Sequence, residues 1–152
     1  MRKRARDEQM GVEARVARDG RVIFGMSTLS PGAQARYNTI SEYTDKVQRV
    51  YGMVETFAAT RHNSDSLLLP LSRAFAQLKL QFMGAGLDRL SQQCGAMEVT
   101  ARRGLSPNAK IRILREGVGS LKSQLDLELR GIVSDDLAAQ RRAEEAAKEE
   151  QV

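Results

Sequence analysis

The chain has 152 residues, 41% of them apolar, 28% charged and only 5% aromatic, with no tryptophan. This fits one domain packed by Leu, Val and Ala on helices better than a β-sandwich. A single cysteine, Cys94, excludes an intramolecular disulfide framework, and no apolar run reaches the roughly 18–20 residues needed to cross a bilayer, so a soluble cytoplasmic protein without membrane insertion is expected.

The net charge of +5 is concentrated at the front: residues 1–21 carry seven basic and four acidic groups, whereas residues 106–152 carry eight and nine. Residues 1–11, "MRKRARDEQMG", read as a polar basic arm. They do not read as a secretory signal, because the stretch that follows is polar where an apolar core would be needed.

Residues 12–26 are expected to form a β-hairpin. The Asp19-Gly20 pair favours a two-residue turn, since both central positions of a type I′ turn need positive φ. That turn sets Val16 opposite Ile23 and Arg15 opposite Phe24. One face then carries Val12, Ala14, Val16 and Ile23, and the other carries Arg15, Phe24 and Met26. A two-stranded ribbon is marginal alone in water. Val12, Arg15, Val16, Ile23, Phe24 and Met26 are therefore candidate protein-interaction residues, acting by strand addition or by lying across another surface.

Ser30 is a good N-cap and Pro31 a good first helical residue. The first helix is expected to run to about Arg61 on the seam Ala33, Tyr37, Ile40, Thr44, Val47, Tyr51, Val54, Ala58, whose steps alternate four and three as in a coiled coil. After the polar break "RHNSDS", a second helix runs from about Ser66 to Arg103, with Pro70 at its entry. Its seam is Leu68, Leu71, Phe75, Leu78, Phe82, Gly86, Leu90, Cys94, Met97, Ala101. The four-four steps around Gly84-Ala85-Gly86 are either a stutter or a true break. "RRGLSPN" repeats the earlier punctuation: Gly104 can cap the second helix, and Ser106 and Pro107 can start a third. The third seam is Ile111, Leu114, Val118, Leu121, Leu125, Leu129, Ile132.

The expected fold is thus mainly α. It is an elongated antiparallel three-helix bundle over residues 30–134, or four helices if the second breaks near Gly84–Gly86, preceded by the hairpin and followed by a polar helical tail at 135–152. Gly52, Gly95, Gly117, Gly119 and Gly131 read as sites of close helix approach, with Gly95 and Gly117 roughly opposite each other.

No residue set points to catalysis, a metal or a cofactor. His62 is the sole histidine and lies in a polar loop, and Cys94 sits mid-helix on an apolar seam. Gly84-Ala85-Gly86 and Gly117-Val118-Gly119 lack the strand and the Lys-Ser/Thr of phosphate loops. Asp135-Asp136 reads as a solvated acidic pair. Tyr37 and Tyr51 belong to the seam, where packing outranks base stacking.

One basic group could hold polyanions: Arg102 and Arg103 at the end of the second helix, with Lys110, Arg112, Arg115 and Lys122 on the third. The leading functional expectation is a non-enzymatic structural or adaptor subunit whose partners are copies of itself or other proteins of an assembly. The second is a small basic accessory that binds DNA or RNA.

Overall fold

A computed structural model of the chain describes residues 14–16, 22–24, 27–60 and 65–151, with side chains from residue 28 onward. Its order is β1 (Ala14–Val16), β2 (Val22–Phe24), β3 (Ser27–Thr28), α1 (Pro31–Ala59), α2 (Asp65–Gly84), α3 (Asp88–Arg102) and α4 (Pro107–Glu150). The fold is mainly helical, as the seams predict.

The three short strands pair antiparallel in the order β1-β2-β3, with Val16 opposite Val22 and Ile23 opposite Thr28. This register is one residue away from the one a two-residue Asp19-Gly20 turn would set. The turn itself, Val12 and Met26 lie outside the described residues, so the hairpin as a unit remains a proposal.

The helices divide between two compact units, Glu42–Leu125 and Met1–Ser41 with Asp126–Val152, the division falling inside both α1 and α4. Within Glu42–Leu125 four helical segments run alternately up and down. Tyr43 of α1 meets Phe82 near the end of α2, ring edge to face at 5.2 Å. Ser72 near the start of α2 accepts a hydrogen bond from Arg102 at the end of α3, at 2.9 Å. Gln93 of α3 donates to Ser120 of α4 at 3.1 Å, and Arg115 of α4 meets Glu55 of α1. Short connections between amphipathic helices give this antiparallel order.

The core is built from Val47, Val50, Val54 and Phe57 on α1, Leu71, Phe75, Leu78 and Phe82 on α2, Leu90, Cys94, Met97 and Ala101 on α3, and Leu114, Val118, Leu121 and Leu125 on α4, all buried. Each large side chain so buried contributes roughly 1.5–3 kcal/mol relative to exposure. The α2, α3 and α4 sets follow the predicted seams closely. On α1 the buried face is turned: Val50 and Phe57 are inside, while Tyr37, Thr44, Tyr51 and Ala58 are only half-buried.

The break at Gly84–Gly86 is real, so the expected long second helix is two helices folded back on each other. Leu87 N–H reaches back to the Phe82 carbonyl at 2.8 Å and Gly86 N–H to the Met83 carbonyl at 3.1 Å. This is the paired closure of a helix by a left-handed residue. Gly86 supplies that residue at φ +75°, a conformation that other side chains resist. Gly86 therefore closes α2 in a turn.

Three further readings need correction. Gly104 is not a left-handed cap: Arg103 is extended where α3 ends, and its N–H bonds the Val99 carbonyl. Pro70 sits in the second turn of α2 rather than at its entry. Of the five helical glycines, only Gly117 makes a tight approach, and it does so to Met97: a Cβ there would clash with the Met97 sulfur. Gly95 faces the Lys79 side chain at ordinary contact distance, and Gly52, Gly119 and Gly131 face open space.

The other unit packs Leu29 and Val133, both buried, against Ala33, Tyr37 and Leu137. Ser30 caps α1 as expected, its hydroxyl oxygen accepting from Ala33 N–H and its carbonyl from Gln34 N–H. Ser106 caps α4 in the same way through Ala109 and Lys110. Beyond Gln140 the tail of α4 is wholly exposed up to residue 151.

Candidate functional site

The α2–α3 hairpin carries the most conspicuous surface feature. On α2, Leu69 is 54% exposed, Leu80 66% and Met83 53%. Val99 of α3 is also largely exposed. The same helix buries Leu71, Phe75, Leu78 and Phe82. α2 thus has two apolar seams: the inner one steps 71-75-78-82, and the outer one steps 69-73-76-80-83 with Arg73 as its only charge. Both alternate four and three, the spacing of a helix that packs on another helix. The inner seam has its partner within the bundle. Sequence reasoning found the inner seam and missed the outer one, although the outer steps were legible.

The six basic candidates are mostly engaged within the chain. Arg102 donates to Ser72 and pairs with Glu98 at 3.3 Å. Lys110 is buried and donates to the Ala101 carbonyl at 3.2 Å, placing a cation at the C-terminal end of α3, where the helix dipole favours it. Arg115 donates to both carboxylate oxygens of Glu55, from Nε at 2.7 Å and from Nη2 at 2.8 Å. That pairing lowers the Glu55 carboxyl from its ordinary range and raises the Arg115 guanidinium. The Lys122 ammonium sits 4.1 Å from the centre of the Tyr51 ring, a cation–π contact. Arg103 and Arg112 are exposed. Arg112 and Arg115 border a small open cleft with Ala58, Asn108, Ile111 and Glu116.

Of the hairpin candidates, Arg15, Val16, Ile23 and Phe24 lie on β1 and β2 at the level of the backbone, while Val12 and Met26 lie outside the described residues.

An open groove of about 430 Å³ lies in the unit that holds the start of α1 and the end of α4, bordered by Ala33, Arg36, Leu127, Gly131 and Asp135 among others. Asp136 beside it is committed to structure, accepting from the Ser30 backbone and side chain and from Gln140. Burial pushes its carboxyl up, but those hydrogen bonds outweigh burial and hold it below the usual range.

Cys94 is fully buried, and burial pushes its thiol up to about 12, which suits a small core side chain and not a nucleophile. His62 lies outside the described residues. Among the described residues no group of three or more His, Cys, Asp or Glu is placed to hold a metal ion, and no helix is long and apolar enough to cross a membrane.

The chain matches no protein-family model, no curated protein and no solved structure.

Proposed function

We propose that the chain is a non-enzymatic structural or adaptor subunit that works through helix–helix and β-hairpin contacts in a larger protein assembly, in the cytoplasm. The observation that carries this reading is the outer seam of α2. Leu69, Leu80 and Met83 are each more than half exposed on one helix, and among the described residues Leu127 is the one other large apolar side chain exposed to that degree. Contiguous apolar patches on a soluble surface mark contact sites. The hairpin is the second contact element, offering the open edge of β1 and the side chains of Val12, Arg15, Val16, Ile23, Phe24 and Met26 to a neighbouring sheet or surface. Deleting residues 12–26 is expected to leave helical content and melting of the remaining chain nearly unchanged while removing hairpin-mediated assembly. Unfolding of the truncated chain, or unchanged assembly, would count against the hairpin.

The alternative is a DNA- or RNA-binding accessory, for which the exposed Arg103 and Arg112 speak. The engaged state of Arg102, Lys110, Arg115 and Lys122 speaks against it, because each would have to exchange a contact within the chain for a phosphate. Sub-micromolar binding to duplex DNA or single-stranded RNA at physiological salt would promote the alternative, provided the affinity falls steeply with salt and is reduced by replacing Arg112, Arg115 and Lys122 with Gln.

A further inference from the structure

We infer that the open groove between the start of α1 and the 127–139 stretch of α4 is the seat of this chain's own basic arm, residues 1–11, with Arg2, Arg4 and Arg6 set against Glu128 and Asp135. This contact is made within one chain and is independent of the assembly reading.

The groove is acidic and has room. Its lining includes Glu128, Asp135 and Asp136 and a single base, Arg36. Asp136 is taken by Ser30 and Gln140, which leaves Glu128 and Asp135 for an occupant. Among the described residues neither is in an ion pair. Between them the floor is small: a Cβ added at Gly131 would meet nothing within 4 Å. Leu127, at the far end, is 64% exposed.

The arm, outside the described residues, has the opposite charge: Arg2, Lys3, Arg4 and Arg6 against Asp7 and Glu8. Glu128 and Asp135 are seven residues apart, so they share one face of α4 about 10 Å apart. Along an extended chain alternate side chains share a side. Arg2, Arg4 and Arg6 then line up over about 13 Å, which covers the two acids.

The arm also reaches. Ala14 pairs with Phe24, which pairs with Ser27, so Ala14 stands two strand spacings, about 10 Å, from Ser27. Ser27 is three residues, at most about 10 Å, from Ser30 on the groove's edge. Arg6 precedes Ala14 by eight residues and so can lie up to roughly 26 Å from it, far enough to turn back and meet Asp135.

The test uses the full chain with Ala5→Cys, which keeps every charge of the arm, and Gly131→Cys in the groove. Cys94 is buried and stays out of the reaction. At low ionic strength an intramolecular disulfide is expected to close at least about tenfold faster than with Arg130→Cys in place of Gly131→Cys, because a seated arm raises the local thiol concentration only at the groove. Arg130 is exposed on α4 but does not line the groove. Leu127→Cys gives a second position inside it. The advantage should fade in about 1 M salt, where screening acts over about 3 Å. Reversing the arm (Arg4→Glu, Arg6→Glu) or the groove (Glu128→Lys, Asp135→Lys) should remove it, and both reversals together should restore most of it.

Equal rates inside and outside the groove, indifference to salt, or charge reversals whose effects add instead of cancelling would overturn the seating. A disulfide that forms only between two chains would also overturn it, because the groove would then hold the arm of a second copy.

Discussion

Ser30 and Asp136, 106 positions apart, are joined by two hydrogen bonds: the Ser30 backbone N–H donates to one carboxylate oxygen at 2.9 Å and the Ser30 hydroxyl donates to the other. The same hydroxyl oxygen accepts from Ala33 N–H and so caps α1. One side chain thus closes a helix start and ties it to α4. Gln140 adds a third donor to the carboxylate and also donates to the Thr28 carbonyl.

This relationship predicts a pH dependence. The carboxyl of Asp136 is lowered in the folded chain, so its contribution to stability is fully present above the ordinary aspartate range near 4 and is lost as pH falls through the folded value. Melting curves of the wild type should therefore fall more steeply below about pH 4 than those of Asp136→Asn. Equal slopes for the two would sever the link between this carboxylate and stability. Ser30→Ala removes both the cap and a donor to Asp136, and is expected to cost about 1 kcal/mol or somewhat more.

The glycines of α4 should respond in opposite directions. Gly119 faces open space, so Gly119→Ala gains helix propensity and should stabilise by up to about 1 kcal/mol. At Gly117 a methyl group would clash with the Met97 sulfur and lie 3.0 Å from its Cγ. Met97 is itself buried, so its freedom to retreat is limited. Overpacking of this kind costs about 1–3 kcal/mol and should exceed the propensity gain. Denaturant titration of the two variants decides it, and a Gly117→Ala variant as stable as Gly119→Ala would mean that Met97 can repack freely.

Leu121→Ala tests the core directly. Leu121 is fully buried on α4, and its truncation should cost about 2–5 kcal/mol in chemical denaturation. A loss below about 0.5 kcal/mol, the size usual at surface sites, would place the residue outside the core.

Much of this core is legible in the sequence because helix burial follows a period, and the period survives without any structure. The seam of α4 and those of α2 and α3 emerge almost residue for residue. Val50 and Phe57 on α1 were missed because a strict four-three seam is narrower than the face buried by a helix with neighbours on two sides. The break after Gly84 shows in the sequence as a stutter, but the choice between stutter and turn depends on the backbone of Gly86. The basic cluster misled for a different reason. Arg115 and Glu55 are 60 residues apart, and nothing local announces that one neutralises the other. The outer seam of α2 was hidden in plain view, because its positions interleave with a stronger seam that accounted for the helix by itself.

Cys94 offers the last test. Its thiol is fully buried on α3 and burial pushes it up to about 12, whereas in the unfolded chain it would ionise near 8.5. An acid whose folded value is raised makes no difference to stability while both states hold the proton. It begins to favour unfolding once the unfolded thiol ionises, so stability should decline as pH rises above about 8.5. Cys94→Ala lacks the proton, and the difference in stability between it and the wild type should narrow between about pH 8 and pH 9.5. The same burial protects the sulfur from reagents: alkylation of the native chain at pH 8 should be slow and should accelerate with denaturant in step with unfolding. Rapid stoichiometric labelling with the circular dichroism intact would show that the thiol is reachable from solvent, and the assignment of Cys94 as an inert core side chain would have to be withdrawn.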